Sequence, residues 1–281
     1  MKIAQLQHPF LTPAIQQELV TKNVIYVSSF LAHNPGLLST KCSLSMEQIF
    51  ILRQYLIDNF APYKVKSIVK DDEKTLADPV FQGALARREI FEAFGPPGGG
   101  KTQIAMFLTG LFASEGKKVL YMDTKNDFSV GRLGHFCQDK SCLTNVKLAK
   151  VFDMDQALKV TDELARQRST KVVDFLVLDN IATIVWPLLG EDSLNDASSL
   201  VSRLVVNLRK IACWQNCAVF VVNCATNNGS KPALGKFFDA ASKSRYHFAQ
   251  MEDGSRVSVS CHKGPAARFE IAINRHGIAR L

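Results

Sequence analysis

Gly95-Pro96-Pro97-Gly98-Gly99-Gly100-Lys101-Thr102 is a complete phosphate-binding loop. Glycines 95, 98, 99 and 100 let the backbone curl so that successive N–H groups point at phosphate oxygens, Lys101 supplies a mobile cation, and Thr102 offers a hydroxyl to Mg²⁺. Upstream, Glu89 to Phe94 reads as a strand. Downstream, Gln103 to Phe112 reads as a helix whose N-terminus faces the phosphates. Glycines alone would mark an ordinary loop; the Lys-Thr pair in a strand-loop-helix setting makes a nucleoside triphosphate site.

Outward from the loop, apolar runs alternate with helical periodicity. Val119 to Met122, Val146 to Val151, Phe175 to Leu178 and Ala218 to Val222 read as buried strands, and Gln156 to Arg168 and Ser193 to Trp214 as helices. That alternation predicts an α/β core with a mostly parallel, doubly wound sheet. Near the end, Val257 to Ser260 and Phe269 to Asn274 alternate as an antiparallel pair with one wet face does. Before the loop, Thr12-Pro13 opens one helix and Ser45-Met46-Glu47-Gln48 another running toward Phe60. Residues 1–62 are therefore expected to form a small helical domain, 63–85 a polar linker, and 86–281 the core.

The chain has 281 residues, 47% of them apolar, enough for a sizeable core. A net charge of +8 makes a polyanionic partner such as nucleic acid a reasonable expectation, although it locates no site. Seven cysteines, odd in number and with no C-x-x-C pair, fit free thiols in a reducing compartment. Cys213 and Cys217 stand four apart without two further zinc ligands at motif spacing, so buried thiols are expected there. Neither a secretory leader nor a membrane span is read, because Asp179-Asn180 breaks the longest apolar stretch. The expectation is a soluble intracellular protein, where the sequon at Asn228 has no meaning.

A nucleotide site of this kind needs an acid at the end of a buried strand for the Mg²⁺ shell, and Val177-Leu178-Asp179 provides it; Asp179 could alternatively cap the next segment. The loop with its trailing Gln103, then Val119 to Thr124, Phe128 to Leu133, Leu176 to Asp179 and Ala218 to Asn223, resembles the ATPase core of RecA-type recombinases in their eukaryotic form. Within that family, Lys231-Pro232-Ala233-Leu234-Gly235 and the Leu11-Thr12-Pro13 and Leu44-Ser45 segments are most similar to the D-type paralogue of the strand-exchange recombinase. The resemblance implies an ATP site built from Gly95, Gly98, Gly99, Gly100, Lys101, Thr102 and Gln103, with Arg132 against the base and Mg²⁺ held by Thr102 and Asp179. It also implies a nuclear protein, with cytoplasm as a second compartment.

Departures from the family pattern bear on activity. Where active members carry a water-orienting glutamate after Tyr-x-Asp-Thr, this chain has Lys125, and an ammonium accepts neither a proton nor a hydrogen bond. Asp127, two residues on, is expected to be misplaced for that role. Cys224 stands where a glutamine senses the γ-phosphate, and a thiol is a poor substitute.

Family members grip single-stranded DNA through two loops. The first, after Asp179, carries no Lys or Arg before Arg203, so Trp186-Pro187-Leu188-Leu189 reads as packing or a protein contact. The second offers Lys231, Lys236 and Lys243 as expected DNA contacts, unless these are merely a solvated basic face. Phe81-Gln82-Gly83-Ala84 matches the Phe-x-x-Ala hook by which family members polymerise, but it sits too close to the first core strand, and core packing is expected instead. The reading is an accessory factor in homologous recombination that binds ATP with Mg²⁺, joins partner paralogues as a hetero-oligomer, and supports recombinase filaments on single-stranded DNA. An active DNA-stimulated ATPase or strand exchanger is the alternative.

Overall fold

The computed structural model describes residues 2–60, 76–167, 170–189, 194–226, 229–239, 241–252, 254–264, 267–275 and 277–281. Its contacts divide the chain into Met1–Asp72 and Glu73–Leu281. In the first unit, α1 (Pro13–Thr21), α2 (Val27–Ala32), α3 (Pro35–Lys41) and α4 (Met46–Phe60) surround a core that includes Leu19, Phe30, Leu38, Ile49 and Leu52. Both expected helix starts are made by side chains. Thr12 Oγ1 accepts from the Ile15 N–H with Pro13 at the first helical position. Ser45 and Gln48 exchange bonds at the head of α4, satisfying donors that the first turn leaves open.

The second unit runs β1 (Ile90–Gly95), α5 (Lys101–Ser114), β2 (Val119–Asp123), α6 (Val130–Phe136), β3 (Val146–Lys150), α7 (Met154–Arg166), β4 (Phe175–Asp179), α8 (Ile181–Val185), α9 (Leu194–Trp214) and β5 (Ala218–Thr226). There follow β6 (Lys231–Pro232), α10 (Gly235–Asp239), β7 (Ser244–Gln250), β8 (Arg256–Lys263), β9 (Arg268–Ile273) and β10 (Ile278–Arg280). The sheet order is β10-β9-β8-β7-β1-β5-β4-β2-β3, with β6 beside β5. From β7 to β3 neighbours are parallel, and from β7 outward they are antiparallel. Alternate residues of each central strand face opposite layers. Phe91, Tyr121, Val177 and Phe220 pack on the α5 side, whereas Met122, Leu176, Leu178 and Val221 pack with residues of α7 and α9 on the other. The core is thus the expected α/β, mostly parallel, doubly wound sheet.

Sequence reading overlooked β7, the strand that joins the parallel half to the antiparallel one. One charge inside the apolar β1 marks that junction. Glu92, fully buried, accepts from Arg245 Nε at 2.6 Å, Asn223 Nδ2 at 2.8 Å and Ser242 Oγ at 3.2 Å, tying β1 to β5 and β7. A buried carboxylate survives only with such a full set of donors.

The expected linker needs correction over its second half. Residues 63–75 lie outside the described set, but Leu76, Val80, Phe81 and Leu85 are buried in the core. Phe81 is 5% exposed, its ring 4.7 Å from Phe91 and 5.5 Å from Tyr246. Such a phenylalanine is a core residue and not a free hook.

Candidate nucleotide site

The phosphate loop sits at the C-terminal ends of β1, β4 and β5, where an open parallel sheet gathers its ligands. Glycine is required there for steric as well as conformational reasons. A Cβ on Gly95 would lie 2.1 Å from the Phe248 carbonyl oxygen, so β7 is a wall against which the loop is pressed. Gly100 has φ 75°, and its Cβ would meet Ile273 Cδ1 at 2.4 Å. Lys101 is buried, and its Nζ donates to the carbonyls of Gly95 at 2.9 Å and Pro96 at 2.7 Å. Burial pushes its ammonium below the ordinary value, opposed by Cys224 and Asp179 and reinforced by Lys125.

Beside the loop lies a cavity of about 310 Å³, lined among others by Gly98, Gly99, Gly100, Lys101, Thr102 and Gln103. Lys125, Asp127, Asn180 and Cys224 complete its far side. Asp179, at the end of β4, is buried; Tyr121 donates to its Oδ2 at 2.7 Å, while its Oδ1 has no hydrogen-bond partner. Burial pushes this carboxyl up, against the pull of the Tyr121 and Thr102 hydroxyls and of Lys125. The capping role belongs instead to Asn180, whose Oδ1 accepts from the Ala182 N–H at 2.8 Å. An orphan carboxylate oxygen with a threonine hydroxyl close by fits a Mg²⁺ ion whose other ligands come from phosphate and water. Among the described residues no cluster of three or more His, Cys, Asp or Glu forms an all-protein metal cage.

The turn after β2 is shaped by a residue whose role spacing did not reveal. Asp123 is buried, and its carboxylate accepts from the N–H groups of Lys125, Asp127 and Phe128 at 3.1 to 3.3 Å. That cage turns Lys125 and Asp127 toward the cavity, where they form an ion pair of 2.8 Å. Asp127, expected to be misplaced for orienting a water, lies in the cavity lining. Its charge is met by Lys125, whose ammonium is held above its ordinary value chiefly by that hydrogen bond.

Arg132 is committed elsewhere than to the cavity lining. Its Nε donates to Gln103 Oε1 at 2.6 Å, and its two terminal nitrogens to the carbonyls of Arg275 at 2.7 Å and Asn274 at 2.8 Å. The guanidinium also lies 4.2 Å from the centroid of the Phe136 ring. It ties α5, α6 and the β9–β10 turn together.

Of the expected DNA lysines, Lys231 and Lys243 lie at opposite ends of the sheet. Lys231 is exposed on β6, at the same end of the sheet as the phosphate loop. Lys236 lies in α10, its side chain outside the described residues. Lys243 precedes β7, and its N–H donates to the Ile90 carbonyl at the opposite end of β1. Seven residues of β5, from the Val219 level beside Ile90 to Thr226 beside Lys231, about 23 Å, separate the levels of Lys243 and Lys231. The segment carrying Lys231 leans on the nucleotide side: His247 Nε2 bonds the Gly229 carbonyl at 2.7 Å, and a Cβ on Gly229 would lie 3.6 Å from Pro96.

The Trp186 stretch divides between the core and the surface. Leu188 and Leu189 pack on their own core, leaving Trp186, 48% exposed, and Pro187 at the surface. All seven cysteines are free; Cys217 is buried as expected, but Cys213 is exposed.

A parallel sheet with helices on both faces, an antiparallel flank, and a phosphate loop facing a buried strand-end aspartate define a RecA-like core. The Rad51 family model matches residues 68–274, and the chain belongs to the Rad51 family. It is similar to DNA repair protein RAD51 homolog 4 of Bos taurus, 25% identical over 81% of this chain and 79% of the relative. The homologue of the same name from Mus musculus is 26% identical over 81% and 78%. It is also similar to the archaeal DNA repair and recombination protein RadB of Methanococcus maripaludis strain C7, 24% identical over 71% of this chain and 96% of the relative. Family membership implies a role in repair by homologous recombination.

Proposed function

We propose that this chain is an accessory member of its family: it binds ATP with Mg²⁺, turns it over very slowly, and works in a hetero-oligomer with other recombinase paralogues to support recombinase filaments on single-stranded DNA in the nucleus. The observation that carries the reading is Lys125 paired to Asp127 in the cavity wall, where a free carboxylate would aim a water. The loop N–H groups and Lys101 hold the phosphates, with Gln103 beside them and Arg132 acting through Gln103. Thr102 and Asp179 are the residues that would hold Mg²⁺, which neutralises charge on the β- and γ-phosphates when bound. ATP on these terms is a structural ligand, adding about 2.7 kcal/mol to the folded state at a hundred times its dissociation constant.

Heteromeric assembly is supported by large apolar side chains left in solvent, among them Leu37 at 57% and Phe50 at 56% exposed, and Trp186. Among the described residues no helix is long and apolar enough to cross a membrane.

Asp127 in the cavity wall favours one rival, an active ATPase that uses this carboxylate. Turnover with and without single-stranded DNA separates the two. The accessory reading expects rates far below the ~1 s⁻¹ of a working phosphoryl-transfer enzyme. Lys125→Glu alone should not restore them, because Cys224 and the loop after Asp179 also differ from the active pattern. Robust DNA-stimulated hydrolysis that disappears in Asp127→Asn would establish the rival. Co-purification from cells would identify the partner chains.

A further inference from the structure

Asp179 is fixed twice, once through its backbone and once through its carboxyl group. At the ends of β2 and β4, where Asp123 lies beside Asp179 in the register, the Thr124 N–H donates to the Asp179 carbonyl at 2.8 Å. Thr124 Oγ1 donates to the Asn180 carbonyl at 2.9 Å and accepts from the Asn180 N–H at 2.7 Å. These bonds place the main chain but not the side-chain torsions that aim the two carboxyl oxygens. Tyr121, beside Val177 in the register, supplies what is missing: its hydroxyl donates to Oδ2 at 2.7 Å and leaves Oδ1 as the atom without a partner. The Thr102 hydroxyl also bears on this carboxyl, but it belongs to the Mg²⁺ ligands proposed above, so it is Tyr121 that holds the group from outside that set.

Packing alone does not call for a hydroxyl here. Tyr121 is 1% exposed, in the layer that also holds Phe91, Phe175 and Phe220, and a phenylalanine would fill the space with no polar atom to satisfy. Phe128 braces the ring from the turn after β2, the centroids 4.7 Å apart and the planes at 59°. The Phe128 N–H is in turn held by Asp123 Oδ2 at 3.1 Å. The cage that shapes the far wall of the cavity therefore also holds the tyrosine in place.

We infer that Tyr121 is a positioning residue for the metal half of the nucleotide site: it sets the Asp179 carboxylate so that Oδ1, and not Oδ2, is offered to Mg²⁺ and its waters. The inference rests on the nucleotide reading proposed above and adds to it a residue that touches neither phosphate nor metal. A hydrogen-bonded partner behind a ligating carboxylate keeps it in one orientation, and losing such a partner costs about 10–100-fold in metal affinity.

The test compares the full chain with Tyr121→Phe, and with Tyr246→Phe as the control. Tyr246 is 3% exposed in the same layer and its hydroxyl meets the Cys261 sulfur, so the control deletes a buried phenol hydroxyl without touching Asp179. Binding of a fluorescent ATP analogue is followed at rising Mg²⁺ and again in EDTA. In Tyr121→Phe the Mg²⁺ concentration that gives half of the metal-dependent gain should rise about 10–100-fold, while the affinity in EDTA, which reports the phosphate loop alone, stays as in the parent chain. Tyr246→Phe should shift neither. Melting temperatures certify the fold. Phe128→Leu, which removes the brace and keeps the hydroxyl, serves as a second variant should Tyr121→Phe fold poorly, and should raise the Mg²⁺ requirement in the same direction. An unchanged requirement in these variants, or an equal rise in Tyr246→Phe, reduces the hydroxyl to a core contact and overturns the positioning role while the nucleotide reading stands. A parent chain that binds no analogue, with or without Mg²⁺, overturns the nucleotide reading and the inference together.

Discussion

Asp179 is the residue at which the cost of a nucleotide site is most visible. Its buried Oδ1 lacks a partner, and an unsatisfied buried polar atom costs about 1–3 kcal/mol. Because its folded-state pKa is raised, the folded chain holds the proton to higher pH than the unfolded one. The associated stability is present in acid and lost as pH rises through the raised value. Asp179→Asn keeps an acceptor for Tyr121 and removes the buried charge. At neutral pH and without nucleotide it should melt higher, by about 2–4 °C per kcal/mol recovered, in a chain of this size. The gain should shrink as pH falls through the raised value toward the ordinary 3.8. The same variant should bind Mg²⁺-ATP poorly. A lower melting point for ligand-free Asp179→Asn at neutral pH would show that the carboxylate is a stabilising group and not a held cost.

Elements meet at the phosphate loop in a way that two pairs of measurements can resolve. Gly95 is pressed on β7, whereas Gly116 after α5 has φ 75° and open space around its Cβ. Gly116→Ala should therefore cost only the backbone term, about 1 kcal/mol. Gly95→Ala must displace the β7 backbone and should cost several-fold more in urea denaturation, with loss of ATP binding. Equal costs for the two would mean that β7 yields freely. Arg132 joins α5 and α6 to the β9–β10 turn through three nitrogens. Arg132→Ala should lower stability by about 1–3 kcal/mol, the worth of charge-assisted bonds, and raise hydrogen exchange in the β9–β10 turn. Arg132→Lys should not rescue it, because one ammonium cannot span those acceptors. Unchanged exchange in both variants would deny the tie.

For the whole molecule, burial of Phe81 separates folding from assembly. Its ring lies among Phe91, Tyr246, Phe248 and Phe269, so Phe81→Ala should destabilise the core by about 3–5 kcal/mol. Light scattering of the isolated chain with ATP and single-stranded DNA should show small or irregular particles and no ordered filament, both before and after that change. Long filaments dispersed by Phe81→Ala while urea stability stays constant would restore the hook.

Sequence by itself determined the loop, its strand and helix, and Asp179 at a strand end, because these are local patterns read along a few residues. Apolar runs also disclosed the central parallel strands β1, β2, β4 and β5, since burial on both faces leaves no room for alternation; β3, expected to be buried, is instead the edge strand, with Lys147, Leu148 and Lys150 exposed. What it could not disclose are contacts between residues far apart in the chain. Glu92 finds its donors about 130 to 150 positions later, and Tyr121 reaches the Asp179 carboxylate across 58 positions. The second-loop lysines looked like one group because Lys231 and Lys243 are only twelve positions apart. Tertiary structure decided otherwise: the intervening chain returns the length of the sheet before β7 begins, so proximity in sequence becomes separation in space.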